Sequence, residues 1–399
     1  MFSFSIQSKL KNTLARVGTF ETPYSSLQMP ELAIVATEGE FKAIPKEYWQ
    51  ELPCKYVIVN TFHISTKKPR DAENPATILE RIDEVSGIHS YMNLKDRTIA
   101  SDSGGFQVFS LGFGKAHQVG KIGGMFPGQD VEHHDQNNPV VINNDGVTFE
   151  FDNRKIHLNP EKSMDIQHKI GADIMFAFDE CTSPLNSKEY TKEALQRTYA
   201  WLDRCIEAHK GHEQTQALFA IVQGGAYEDL RKEAATIIGS KDVPGFGIGG
   251  SLGKTKQDMY QILEWVMPIL PEEKPKHLLG IGSVKDIFEG VERGIDLFDC
   301  VIPTREARHR QLYTSKGRLA LRKMKTVQEV LDPTCSCFAC RDKVTYAQLW
   351  QLFLQKDPKA TCYASSHNIW FFSMLMERIR ESIKNNTFFE LKQECLANY

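Results

Sequence analysis

The chain predicts an α/β fold, a (β/α)8 barrel of the TIM type with an added C-terminal unit, on three observations. Eight short runs rich in β-branched and aromatic residues recur along it, and segments with apolar residues three and four apart separate most of them. Several runs also begin apolar and end in polar or glycine residues, as in AFDE, IVQGG, GIGG and LFDC. Strands alternating with helices give a parallel sheet, and eight such units can close into a barrel. An open doubly wound sheet is the alternative. Carboxylates, amides and glycines at the tips favour the barrel, which gathers its chemistry at the C-terminal ends of its strands.

In chain order the candidate strands are 33–37, 55–61, 98–104, 173–180, 217–224, 245–250, 277–282 and 296–303. The helical patterns between them include PEKSMDIQHKI, TKEALQRTYAWLDRCIEA, EDLRKEAATII, KQDMYQILEWVM and VKDIFEGVERG. One insertion, 112–144, is glycine-rich and then acidic and amide-rich, and it reads as a flexible rim loop, either a cover over a site or a plain surface insertion. Its adjacent His133 and His134 are poorly placed to share one metal and read as solvated. The expected division is a barrel over 1–325, with the insertion on its rim, and a cysteine-bearing subdomain with a C-terminal helix over 326–399.

A length of 399 residues suits one large barrel with an appendage. Hydrophobic residues at 41% and charged residues at 25% exclude disordered, collagen-like and disulfide-scaffold classes. No apolar run approaches the roughly 18 residues a membrane span needs, and MFSFSIQSKLKNTL lacks the apolar centre of a signal peptide. The expectation is a cytoplasmic protein without a membrane partner. With 48 basic and 51 acidic residues the net charge is -3, so global charge does not announce a nucleic-acid binder. Locally, TREARHRQLYTSKGRLALRKMK, from Thr304 to Lys325, holds eight Lys or Arg and a single acid, Glu306. Taken alone it reads as a solvated charged run.

Nine cysteines cannot all pair, and in this setting they are expected to be reduced or metal-bound. Cys335, Cys337 and Cys340 form CxCxxC, and His367 follows after a segment with Tyr346, Leu349, Trp350, Phe353 and Leu354 on one helical face. Three thiolates and an imidazole match a structural zinc site filled entirely by protein, which leaves no position for a catalytic water. Cys362 is a competing fourth ligand, and a helix over 369–383 is expected to be pinned by the site.

Asp102 lies in SDSGGFQ at the end of the third strand, Asp179 in AFDEC at the fourth and Asp299 in FDCVIPTR at the eighth. Singly, each reads as a helix cap or a loop-ordering acid. Together on one rim, with Gln223 from a further strand, they suit chemistry at a sugar C1′, one carboxylate attacking and another moving protons.

These motifs, with NTFH at 60–63, VQGG, GIGG and the Cys-rich segment in the same order, resemble the tRNA-guanine transglycosylases over almost the whole chain. The resemblance implies a barrel with a structural Zn2+ near its C-terminus that exchanges a guanine in tRNA for a 7-deazaguanine without cutting the strand, at the wobble base in most members. It implies Asp299 as nucleophile and Asp102 as general acid/base. Ser103, Gly104, Gly105, Asp179, Gln223, Gly249 and Gly250 would receive the base, with Phe106 and Leu279 stacking on it. Asn60, the loop of Gly280, Ile281, Gly282, Ser283, Val284, Lys285 and Asp286, and the segment Thr304, Arg305, Glu306, Ala307 and Arg308 would meet RNA. Cys335, Cys337, Cys340 and His367 would hold the metal, and the family pattern implies a homodimer.

GGSLGK at 249–254 departs from the GGLxxGE of many bacterial members. Lys254 near the usual acid would oppose the cationic aminomethyl group of preQ1 if it pointed inward, which leans the expected base towards queuine. The rival readings are a relative acting on DNA or on another tRNA position, and a non-catalytic RNA-binding partner subunit.

Overall fold

The computed structural model of the protein describes residues 2–69, 76–105, 140–250 and 252–399. Its parallel strands close into an eight-stranded barrel: β1 (Glu31–Val35), β2 (Tyr56–Val59), β3 (Thr98–Ser101), β4 (Ile174–Phe176), β5 (Ala217–Val222), β6 (Gly245–Ile248), β7 (Lys276–Leu278) and β8 (Leu297–Cys300). Each strand lies beside its predecessor, and β8 pairs with β1 in a register that sets Asp299 opposite Ala33. All residues of β2 to β7 are buried, as expected of strands covered on both faces. In β8 only Asp299 is partly open.

The ladders are shorter than the runs that predicted them. Pairing stops at Phe176, Val222, Ile248 and Leu278, so Asp179, Gln223, Gly249, Gly250 and Leu279 lie beyond it. Gly249 N–H still donates to the Val222 carbonyl of β5 at 3.2 Å, while its own carbonyl accepts from the Arg231 side chain. These strand ends are where a barrel can place chemistry.

The chain forms two compact units. The first consists chiefly of Asn60–Tyr91 and Ala100–Lys276. Its helices Pro160–Ile170, Lys188–His209, Glu228–Gly239 and Lys256–Val266 follow the predicted patterns closely. Local signals explain their starts: Asn159 accepts from the Lys162 N–H ahead of Pro160, Ser187 accepts from Tyr190 N–H, and Thr255 with Asp258 forms a capping box. An antiparallel sheet of Val140–Ile142, Val147–Phe151 and Arg154–Leu158 was not expected. Residues 140–142 therefore correct the rim-loop expectation at its end, while 112–139, with His133 and His134, lie outside the described residues. Asp152 and Asn153, both at positive φ, close the second hairpin in the manner of a primed turn.

The second unit comprises Ser3–Val59, Met92–Ile99 and His277–Tyr399. It opens with another unexpected antiparallel sheet, Ser3–Lys9, Arg16–Glu21 and Ser26–Met29, whose first strand alternates exposed and partly buried residues. Arg16 bonds both oxygens of buried Asp296, at 2.8 and 2.7 Å. Removing one partner would strand the other charge, at a cost of about 3–5 kcal/mol. The basic run is not one exposed face, because it contains the helix Ile302–Arg308 and the hairpin Gln311–Thr314/Gly317–Ala320. The helix expected over 369–383 runs from Pro358 to Lys384, so His367 sits inside it and not on a returning loop, and a further helix, Phe388–Leu396, follows. Leu354 leaves the predicted apolar face and is 52% exposed. Among the described residues no helix is long and apolar enough to cross a membrane.

Candidate active site

In the first unit, Asp102 follows β3 and each of its carboxylate oxygens is engaged. Oδ1 accepts from the Thr61 N–H at 2.9 Å and the Gly104 N–H at 3.2 Å, while Oδ2 accepts from Asn60 Nδ2 at 2.5 Å. Asn60 also caps the helix Thr61–Thr66 through Oδ1, which accepts from His63 N–H. The residue expected to meet RNA is buried and positions Asp102.

Asp179 and Gln223 form a second pair in this unit. Gln223 Nε2 donates to Asp179 Oδ2 at 2.5 Å, and Ser103 Oγ donates to Oδ1 at 3.5 Å. Burial pushes the Asp179 carboxyl up to about 6 against these two bonds, which pull it down. Gln223 Oε1 is buried and has no hydrogen-bond partner among the described residues. An orphaned buried acceptor is costly unless a ligand supplies the donor. Gly250 makes room for it: at φ +81, a Cβ there would lie 1.8 Å from Gln223 Oε1. Gly105 N–H donates to Ser103 Oγ at 3.3 Å, which completes the SDSGG turn. Phe106 lies outside the described residues.

Sequence reasoning missed what holds these tips. Arg231, inside EDLRKEAATII, is fully buried and donates to the carbonyls of Val222, Gly225 and Gly249. One guanidinium thus ties the end of β5 to the end of β6 on either side of Gln223. Desolvation lowers its pKa to about 10, and no pattern in the sequence separates it from the solvated basic residues of a helix. Gly224, at φ +135, has no room for a side chain because a Cβ would lie 2.9 Å from Arg231 N.

In the second unit, Asp299 Oδ1 accepts from the Gly280 N–H at 2.9 Å and pairs with His277 Nε2 at 3.0 Å. The other ring nitrogen, Nδ1, lies 3.1 Å from the Tyr56 hydroxyl. Leu279, between His277 and Gly280, is half-buried. Of the loop expected to meet RNA, Gly280 and Lys285 are exposed and Ile281 is half-buried. Ser283 caps the helix Val284–Glu292 and donates to Asp286 Oδ2, while Gly282, Val284 and Asp286 are buried.

In the following helix, Thr304 and Ala307 are buried and Arg305, Glu306 and Arg308 are half-buried. Glu306 accepts from Arg318 Nε at 2.8 Å. Arg308 Nη1 is buried without a hydrogen-bond partner among the described residues, and burial and then the nearby Arg305 lower its pKa. Arg310 lies over the Trp350 and Phe353 rings at 5.3 and 5.5 Å, so it packs the C-terminal region.

Cys335, Cys337, Cys340 and His367 bring their donor atoms within 4.8 Å of one another, a group that could hold a metal ion, and Cys362 is not part of it. The His367 Nδ1 is 3.5 Å from both Cys337 Sγ and Cys340 Sγ, while its Nε2 lies 3.0 Å from the Tyr313 carbonyl. That carbonyl fixes the tautomer that presents a lone pair at Nδ1, as a metal-ligating histidine requires. The neighbouring Asn368, also missed in the sequence, accepts from Tyr313 N–H and donates to the carbonyls of Pro303 and Gln311, each at 3.0 Å. The metal group is therefore bonded into the segment that carries Arg305 and Arg308.

A family model described as Queuine tRNA-ribosyltransferase matches residues 11–399, which makes this barrel that of a pentosyltransferase. A relative from Archaeoglobus fulgidus is 40% identical, over 98% of this chain and 99% of its own. Queuine tRNA-ribosyltransferases of Halothermothrix orenii and Thermoanaerobacter pseudethanolicus are 36% and 37% identical, covering 100% and 99% of this chain and 98% and 97% of theirs. The chain belongs to the queuine tRNA-ribosyltransferase family.

Proposed function

We propose that the enzyme exchanges the wobble guanine of queuosine-type tRNAs for a 7-deazaguanine through a covalent enzyme–RNA intermediate. The observation that carries this reading is the pair Asp179 and Gln223: a carboxylate beside an amide whose oxygen is buried and unpartnered. Two acceptors of this kind match the adjacent N–H donors on the polar edge of guanine and its 7-deaza analogues. Ser103, Gly104, Gly105 and Gly249 shape that receptor, and Gly250 leaves Gln223 its space. Phe106 and Leu279 are its proposed stacking partners.

Asp299 forms a bond to C1′ as the C1′–N9 bond breaks, and the bonding electrons leave with guanine, which takes a proton from Asp102. The incoming base then gives its N9 proton to Asp102 and attacks C1′, which releases Asp299. Arg305 and Arg308 take phosphates, and Gly280, Ile281 and Lys285 border the strand. Cys335, Cys337, Cys340 and His367 hold a structural Zn2+ that organises residues 326–399. A homodimer in the cytoplasm is the expected working form.

Queuine is the favoured incoming base by a small margin over preQ1. The lean rests on GGSLGK and is small because Lys254 is exposed, where a like charge is screened. The test is uptake of labelled guanine into tRNA with a queuosine-type anticodon and into duplex DNA, with adduct detected on a denaturing gel. Uptake into that tRNA with an adduct supports the proposal. Uptake only into DNA or another tRNA position, or RNA binding without uptake, favours the corresponding rival.

A further inference from the structure

Asp299 is held asymmetrically. The Gly280 N–H and His277 Nε2 both reach Oδ1, at 2.9 and 3.0 Å, and among the described residues none donates to Oδ2. His277 is fully buried, and its far nitrogen is 3.1 Å from the hydroxyl of Tyr56, which is also fully buried. An ionised carboxylate only accepts, so Nε2 must carry the hydrogen. A neutral ring then accepts at Nδ1, and the Tyr56 O–H is the donor. The three groups form one directed chain from Tyr56 through His277 to a single oxygen of Asp299.

We propose that His277 is a positioning residue, locked in one tautomer by Tyr56, that reserves Oδ2 of Asp299 for bonding to the sugar and stabilises the carboxylate when that bond breaks. The proposal rests on Asp299 being the nucleophile. When Oδ2 bonds C1′, the carboxylate becomes an ester whose Oδ1 is the carbonyl oxygen, still accepting from both donors. When the incoming base attacks C1′, the C1′–Oδ2 electrons return to the carboxylate and negative charge reappears partly on Oδ1. A donor already aimed at that oxygen favours the departure most, because it interacts more strongly with the anion than with the ester. The expected signature of losing it is a longer-lived adduct, not weaker tRNA binding.

The experiment uses the full-length enzyme with a queuosine-type tRNA and labelled guanine, measuring adduct formation, adduct breakdown on adding base, tRNA affinity and melting temperature. His277→Leu is expected to slow breakdown about 10–100-fold and to raise the steady-state adduct fraction, with tRNA affinity within about twofold of wild type. His277→Gln keeps an N–H near the same place and is expected to restore breakdown to within about fivefold, and Tyr56→Phe to slow it about two- to tenfold. Equal losses in His277→Leu and His277→Gln, or wild-type adduct lifetime in a folded His277→Leu enzyme, overturn the assignment. Should His277→Leu not fold, Tyr56→Phe decides, and an unchanged adduct lifetime in that variant overturns it. A wild-type enzyme that exchanges base with no adduct, or an adduct that persists in Asp299→Asn, overturns instead the reading of Asp299 itself.

Discussion

Asp102 and Asp299 are the same residue at the end of two barrel strands, yet their surroundings differ. Asp102 has both oxygens engaged, by two backbone N–H groups and by the Asn60 amide. Among the described residues Asp299 has its donors gathered on Oδ1 alone. A carboxylate oxygen without a donor among the described residues suits the nucleophile proposed for Asp299, and a carboxylate held on both oxygens suits the proton exchange proposed for Asp102. The two proposed roles differ in donor pattern and not in residue type.

The largest effect that can break this comparison is at Asp299. Asp299→Asn should abolish the covalent adduct, a loss of at least about a thousandfold in exchange, with tRNA affinity changed little, because the amide keeps the shape and is a poor nucleophile. Asp102→Asn should slow exchange about 100- to 10,000-fold while an adduct still forms slowly, as for a lost general acid/base. If the two variants fail identically at adduct formation, the division of labour is wrong. Rapid-quench gels on both variants read the difference.

Loss of the metal group should act on the Asp299 side through structure. Cys337→Ser is expected to lower metal content and melting temperature together, and to weaken tRNA binding about tenfold as Asn368 loses its hold on the Pro303 carbonyl. Metal analysis, calorimetry and tRNA titration measure these. A metal-free protein with native melting and affinity that loses only the chemical step would sink the structural role.

The proposed reading of the base by Asp179 carries a pH dependence. Asp179, held near 6 by burial, must be ionised to accept from the base beside Gln223 Oε1. The KM for free base should therefore be level above about pH 7 and rise about tenfold per pH unit well below 6. The stability sign is opposite to that of an ion-paired carboxylate. With a folded value raised above the ordinary 3.8, this group's contribution is complete below about 3.8 and is lost as pH rises through about 6. A base KM that stays flat down to pH 5 would remove Asp179 from this role. The smallest effect is expected at Lys254→Glu, which should shift queuine-over-preQ1 preference by no more than about twofold because the side chain is exposed. A larger shift in a competition assay would mean that Lys254 enters the pocket during exchange.

Much of the molecule was legible in one dimension. The eight strands, the five helices between Pro160 and Glu292, the CxCxxC group with His367, and the strand-end positions of Asp102, Asp179, Gln223 and Asp299 all follow from local patterns and spacing, while the helices Thr61–Thr66, Ile78–Glu84 and Ile88–Met92 were not among those patterns. The two antiparallel sheets at Ser3–Met29 and Val140–Leu158 did not come through, although SFSIQSK alternates and the Asp152–Asn153 turn carries a hairpin signal. Short strands of modest hydrophobicity read as loop until their partners are known.

What the sequence determined by itself was which chemical groups stand at the strand ends, because strand and helix periods are local properties of the chain. What only the tertiary structure decided was how each group is bonded. Arg231 looks like any helical arginine until it is found buried under three carbonyls of the VQGG and GIGG tips. Tyr56 and His277 are unremarkable members of β2 and β7 until the closed barrel sets them in line with Asp299, 221 and 22 residues apart. Hydrogen bonds between residues so distant in sequence depend on where the fold places them, and no local pattern encodes that.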